Sequence, residues 1–218
     1  FFVGVRDDLV PLKPYMKLIG QLVAATILIL LFDLRIKSMY GLFGLYEIPT
    51  TLSYILTVFT IIVITNSFNL IDGLDGLAAS LAIISLLAFG IWFILADDGV
   101  FAVLSFGMVG ALIAFLIFNW EPSKIFMGDT GALVVGMMLA ITAIHFINHN
   151  YNLPAEHAYR FSGSVAPAIC FIIVPLVDTM RIFILRIARK QSPFTPDKSH
   201  IHHSIMRLGF SHRKTTIL

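Results

Sequence analysis

Charge is what this sequence lacks most. Only 13% of its 218 residues are Asp, Glu, Lys or Arg, against the roughly 25% that covers an ordinary soluble domain. Apolar residues make up 58%, and mean hydropathy is +0.89. So large an apolar excess must face lipid, which excludes a soluble globular class. Cysteine is nearly missing too. Cys170 stands alone in an apolar run, so there is no disulfide framework. The net charge of +2 is too small and too scattered for a nucleic-acid surface. No Met or basic leader precedes Phe1, and the residues from Thr215 to Leu218 begin to turn apolar again. We therefore expect an internal piece of one integral-membrane domain, residues 1–218, with further spans on either side.

What the sequence does have is long apolar runs. Six of them, roughly residues 15–32, 51–68, 77–95, 100–118, 131–148 and 163–185, approach the ~20 residues that carry a helix across about 30 Å of hydrocarbon. They are continuous rather than alternating, so barrel strands are excluded. The expected fold is an all-α polytopic membrane protein with six transmembrane helices.

Six spans return the chain to its starting side. Loops 1–14, 69–76, 119–130 and 186–218 then share one face. Of the 15 Lys and Arg residues, all but Arg35, Lys37 and Arg160 fall on or near it. The positive-inside rule makes that face cytoplasmic. Nearly all the residues that suggest chemistry lie there as well. On the opposite face, Asp97-Asp98 reads as an acidic turn capping a helix, and His145 and His149 read as interfacial residues.

The adjacent carboxylates Asp7-Asp8 suit either plain helix-end charges or a metal or general-base site. In the run NSFNLIDGLDGL, residues 66–77, polar side chains recur at Asn66, Asn69, Asp72 and Asp75. On a regular helix each step of three turns about 300°, so the four would drift around the circumference. Gly73 and Gly76 let the backbone open near the two carboxylates, so that they converge on a ligand. Helix capping is the plainer alternative. Asp129, in FMGDTG at 126–131, directly precedes an apolar helix and reads as its N-cap. A helix start flanked by Gly128 and Gly131 also favours phosphate, and a carboxylate there calls for a cation such as Mg²⁺. Phe126 is a core, lipid-facing or stacking residue.

In SPFTPDKSHIHH, residues 192–203, His200, His202 and His203 invite a zinc reading. No HExxH or cysteine accompanies them, and the surrounding Lys and Arg suit an anion pocket better. Asp178 and Arg181 lie inside the last span, either as a functional pair or as an i,i+3 ion pair.

Together the stretches GVRDD (4–8), NSFNLIDGLDGLA (66–78), FMGDTG (126–131) and SPFTPDKSHIHH (192–203) resemble the polyprenyl-phosphate N-acetylhexosamine-1-phosphate transferases. Order, spacing and facing all agree across the chain. The His motif is more similar to the WecA/TagO branch than to the MraY branch of this superfamily. The resemblance implies that undecaprenyl phosphate attacks the sugar-linked phosphate of a UDP-N-acetylhexosamine, with UDP-GlcNAc first among the donors, and releases UMP. It implies Mg²⁺, with Mn²⁺ as a substitute, held by Asp129 with Asn69 as second ligand. It implies Asp7 and Asp8 on the lipid-phosphate side, with Asp7 as base or nucleophile. Asn66, Asp72, Asp75, Asn119 and Phe126 would border the nucleotide, with Asp75 on uracil and Phe126 stacked upon it. His200, His202 and His203 would bind diphosphate or sugar. The expected setting is the bacterial cytoplasmic membrane with the site on the inner face. Membrane lipid surrounds the protein, a homodimer is compatible, and nucleic acid is no partner. The alternatives are the MurNAc-pentapeptide transferase of the other branch, a zinc hydrolase, and a transporter, which would carry its charges inside the spans.

Overall fold

The structure, a computed structural model, describes residues 1–188 and residue 216; the His200, His202 and His203 expectations lie outside them. The described residues form helices α1 (Phe2–Leu9), α2 (Pro14–Phe32), α3 (Thr50–Ile71), α4 (Leu77–Leu95), α5 (Gly99–Asn119), α6 (Gly128–Asn152), α7 (Val165–Phe171) and α8 (Ile173–Ala188). Among them there is no strand, only an isolated bridge between Ser38 and Glu47. Helices α2 to α6 are long and apolar enough to cross a membrane. This is an integral membrane protein.

Local sequence sets the ends of these rods. Pro14 supplies the fixed φ and missing N–H that suit a first helical position. Asp33 stops α2 in the left-handed region at φ 48°. The chain opens between Ile71 and Leu77, with Gly76 at φ 76°. The opening near Asp72 and Asp75 is thus present, although α3 reaches three residues beyond the expected 68. Asn69 therefore stands on its last turn.

The main pairings are α4 with α5 and α3 with α6; α8 also packs on α3. Gly136 permits the α3–α6 crossing. A Cβ there would lie 2.9 Å from the Thr65 Cα and 3.0 Å from its carbonyl oxygen, the close approach that small residues allow between membrane helices. Further along α6, Phe146 packs edge-to-face on Phe89 and Phe171, with Trp92 beside it. The outer sides of α2 and α5 remain largely uncovered, as lipid-facing surfaces do.

Two expectations change. Residues 2–9 form a helix where a loop was expected. The sixth run, 163–185, is not one straight span, because α7 and α8 meet at 85°. Pro175 accounts for the break: it has no N–H to donate to the carbonyl of Phe171, and its ring crowds that oxygen. The Phe171 carbonyl accepts instead from Ser85 Oγ at 2.6 Å. Within α8, Arg181 lies 3.8 Å from Asp178, the ion pair that was one of the two sequence readings.

The facing read from the sequence puts Lys124 and Ala158 on opposite sides of the membrane. In a Cys170→Ala background of the intact protein, an impermeant maleimide applied to sealed cells should label Ala158→Cys and spare Lys124→Cys. Labelling of Lys124→Cys from outside would end the case for a cytoplasmic site.

Candidate functional site

The site is assembled where α1 docks against the start of α6. Gly4 makes the contact. A Cβ at this position would sit 2.4 Å from the Thr130 Cα, so any side chain would force the two helices apart. The docking brings Asp8 to the amides that begin α6. Its carboxylate accepts from the Asp129 N–H (2.8 Å), the Thr130 N–H (3.1 Å) and the Thr130 hydroxyl (2.5 Å). Gly128, at φ 64°, has no Cβ to obstruct that carboxylate, whose Oδ2 would lie 2.9 Å from one.

Asp129 is therefore not its own helix cap, as the sequence suggested. It lies inside the first turn of α6, and a carboxylate from another helix caps the amides. The reason is geometric: an N-cap side chain reaches forward only from a non-helical residue, whereas the helix already begins at Gly128. Freed from capping, the Asp129 carboxylate turns toward α2 and α3.

There it meets a cation the sequence reading had treated only as part of the basic bias. Lys17 forms an ion pair with Asp7 and reaches Asp129 Oδ1 at 3.0 Å. The same oxygen accepts from the Asn69 amide nitrogen at 2.8 Å. Three segments far apart in sequence thus converge on one small volume. A cation one turn into an apolar span, ten residues after two adjacent acids, was the signal for Lys17.

The electrostatics follow from these contacts. Burial alone would raise the Asp7 carboxyl, but Lys17, the Leu12 N–H and Asp129 outweigh it and hold Asp7 below the usual range. Burial also opposes ionisation of Asp8, which its bonds to Thr130 and Asp129 nevertheless keep low. Asp72 goes the other way. It is pushed up to about 6, first by burial and then by the negative charge of Asp129.

The remaining nucleotide-side residues are placed differently. Asn66 faces α2, where its amide pairs with Gln21 in both directions (2.8 and 3.3 Å) and bonds the Ile62 carbonyl. Asn119 is buried, accepting from the Gly76 N–H at 3.0 Å and donating to the Ile125 carbonyl at 2.9 Å. Asp75 accepts from the Ser123 N–H at 3.1 Å. Asn119 and Asp75 thereby tie the α3–α4 turn to the 120–127 loop. Phe126 is 78% exposed at that loop. The structure thus gathers Asp7, Asp8, Asn69, Asp72 and Asp129, and gives Asn66, Asn119 and Asp75 scaffold bonds.

Residues 1–147 of this chain match the family model described as Glycosyl transferase family 4. The chain belongs to that family. Among relatives of family 4, it is 31% identical over its whole length to the undecaprenyl-phosphate alpha-N-acetylglucosaminyl 1-phosphate transferase of Salmonella typhi. It is 33% identical, over 99% of its length, to the decaprenyl-phosphate N-acetylglucosaminephosphotransferase of Mycolicibacterium smegmatis. A Bacillus subtilis protein named "Probable undecaprenyl-phosphate N-acetylglucosaminyl 1-phosphate transferase" is 36% identical over 99% of the chain. The chain spans 56 to 58% of the length of these three relatives.

Two expected outcomes test the geometry. Lys17→Met leaves Asp7 and Asp129 without their shared counter-charge. It should lower stability by about 2 kcal/mol, less than the 3–5 kcal/mol of a fully buried pair because Lys17 is partly solvated. Adding Asp7→Asn should recover part of that loss in thermal melts; simple additivity would mean the pair is not coupled. In EDTA, difference infrared spectra should show a protonated-carboxyl band growing as pH falls through about 6. The band should be absent from Asp72→Asn.

Proposed function

We propose that the protein containing this chain transfers an N-acetylhexosamine 1-phosphate, GlcNAc 1-phosphate first among the candidates, from a UDP-sugar to undecaprenyl phosphate. UMP is released and a lipid-linked cell-surface glycan is begun. The observation that carries this reading is the meeting of Asp7, Asn69 and Asp129 around Lys17 at the membrane-side start of α6. The names of the family 4 relatives support the transferred group and the acceptor.

The residues suit Mg²⁺. Asp7, Asp129 and Asn69 offer hard oxygen donors, and a cationic ammonium already lies between the two carboxylates. Asp129 would hold the ion together with Asn69, whose amide would turn its Oδ1 toward the ion in place of the N–H that now donates to Asp129. When bound it would neutralise the diphosphate and polarise the phosphorus under attack.

The rest falls to the chain's own groups. An oxygen of the lipid phosphate forms a bond to the sugar-linked phosphorus, and the bond from that phosphorus to the bridging oxygen breaks, so that UMP leaves with the electron pair. Lys17 offsets charge as two anions approach. Asp8 holds α6 in position through its amides. Asp7, held ionised by Lys17, is a weak base while that pair persists, since efficient proton transfer wants a pKa near the working pH. Asp72, near 6, is better matched to accept a proton. Phe126 is exposed enough to stack on uracil, and the His200, His202 and His203 loop would meet the sugar. We place the site on the cytoplasmic face of the bacterial inner membrane.

The test is UMP release by the intact protein in proteoliposomes containing undecaprenyl phosphate. UDP-GlcNAc should be turned over and UDP-MurNAc-pentapeptide should not; turnover of the pentapeptide donor alone would move the protein to the peptidoglycan reaction. Asp129→Asn should reduce release by about 100-fold or more, the scale of losing one preorganised charge in a catalytic site. Asp97→Asn serves as the control, because Asn tolerates the left-handed backbone at φ 59°. Near-normal turnover by Asp129→Asn would overturn the assignment of that residue.

A further inference from the structure

The far end of α6 carries a second polar cluster that the proposed reaction does not use. His145 and His149 lie one turn apart on α6, at i and i+4. Asp98, at the start of α5, lies against both. One ligand atom from each of the three falls within 4.8 Å of the other two. His145 Nε2 is 2.6 Å from Asp98 Oδ2, and His149 Nδ1 is 3.7 Å from the same oxygen. The sequence expectation of a capping acid holds, since Asp98 accepts from the Phe101 N–H. The two histidines facing it were not foreseen.

We propose that Asp98, His145 and His149 form a binding site for a first-row divalent metal of the Zn²⁺ class, at the opposite end of α6 from Asp129. The tautomer of His149 is the first argument. Its Nε2 lies 3.0 Å from the Ala96 carbonyl, an oxygen that can only accept. In the neutral ring Nε2 therefore carries the proton, and the Nδ1 lone pair faces a carboxylate oxygen. A ring lone pair facing a carboxylate oxygen attracts a positive centre, either a second proton on His149 or a metal ion held by both. A histidine that donates one N–H to a backbone carbonyl and offers its other nitrogen is the arrangement that orients metal ligands.

The second argument is distance. Donors of a tetrahedral ion with bonds of about 2.0–2.1 Å stand about 3.3 Å apart. The 3.7 Å and 2.6 Å separations bracket that value, so modest side-chain rotation admits the ion. The third argument is order before binding. His145 stacks on Phe101 with centroids 3.5 Å apart, His149 meets the Trp92 ring edge-on, and the cap fixes Asp98. The histidine side chains are 27% exposed and the Asp98 side chain 11%, so water can supply a fourth ligand.

Two imidazoles and one carboxylate favour Zn²⁺ over Mg²⁺, which prefers six oxygens. The ion would staple the α4–α5 turn to the last turns of α6. This site is independent of the transferase reading and stands or falls without it.

The experiment uses the intact protein, purified without a histidine tag and stripped with chelator, then dialysed against Zn²⁺ and counted by mass spectrometry. Wild type should hold one equivalent more than His149→Ala, with Mg²⁺ in excess failing to displace it. Because the histidine loop is present in both proteins, the difference counts this site alone. Asp98→Asn, which keeps the cap on Phe101, should lose the same equivalent and covers the case in which His149→Ala misfolds. Zn²⁺ should also raise the melting temperature of wild type but not of either variant. Equal zinc content in wild type and Asp98→Asn would show that the cluster is only an ion-paired clamp, and would overturn the proposal.

Discussion

Everything at the Asp129 end of α6 rests on one carboxylate filling the amide end of one helix. Helix starts leave N–H groups without partners, and their aligned dipoles favour negative charge. Asp8 supplies that charge from outside the helix, which couples the cap to tertiary structure. Wherever α1 goes, the cap goes with it. Glycine at positions 4 and 128 removes the two Cβ atoms that would have prevented the approach. Asp7 then has no freedom left: as the neighbour of Asp8 on a short helix it is delivered to Lys17 and Asp129.

That placement concentrates negative charge around Lys17, which pairs with both Asp7 and Asp129. The three carboxyls respond unequally. Asp7 and Asp8 gain donors and stay ionised, while Asp72 gains none large enough to offset burial and rises to about 6. Carboxyls of one residue type are thus driven into different protonation behaviour by position alone, a separation that acid–base sites commonly use. Scaffold side chains keep this arrangement in place: Asn119 and Asp75 fasten the neighbouring loop, and Asn66 fastens α3 to α2 through Gln21.

The spans were legible because continuous apolar runs of membrane length leave few alternatives, and α2 to α6 fall close to the expected bounds. The gathering of Asp7, Asn69 and Asp129 was legible through the facing of their loops. Four features were not. The bend before α8 was masked by hydrophobicity, although Pro175 marked it. The cap on α6 was assigned to Asp129 because local rules see only neighbours in sequence, and the true cap lies 121 residues away. Lys17 was absorbed into the count of basic residues, because composition records a charge and not its bonding partners. The opposite face was read as ordinary polar punctuation, since only folding sets His145 and His149 against Asp98.

Helix α6 also has a mechanical character that follows from Gly136. This 25-residue rod meets the backbone of α3 closely at that point. Its shorter arm, toward Asp129, is about 12 Å long and its longer arm, toward Asn152, about 24 Å at 1.5 Å per residue. A stiff rod held at such a fulcrum is a lever with a ratio near two. A tilt that shifts the Asp129 end by half an ångström swings the His149 end by nearly one ångström in the opposite direction. Grip on the long arm therefore resists motion of the short arm with twofold mechanical advantage, so the far end of α6 is well placed to set how still Asp129 is held.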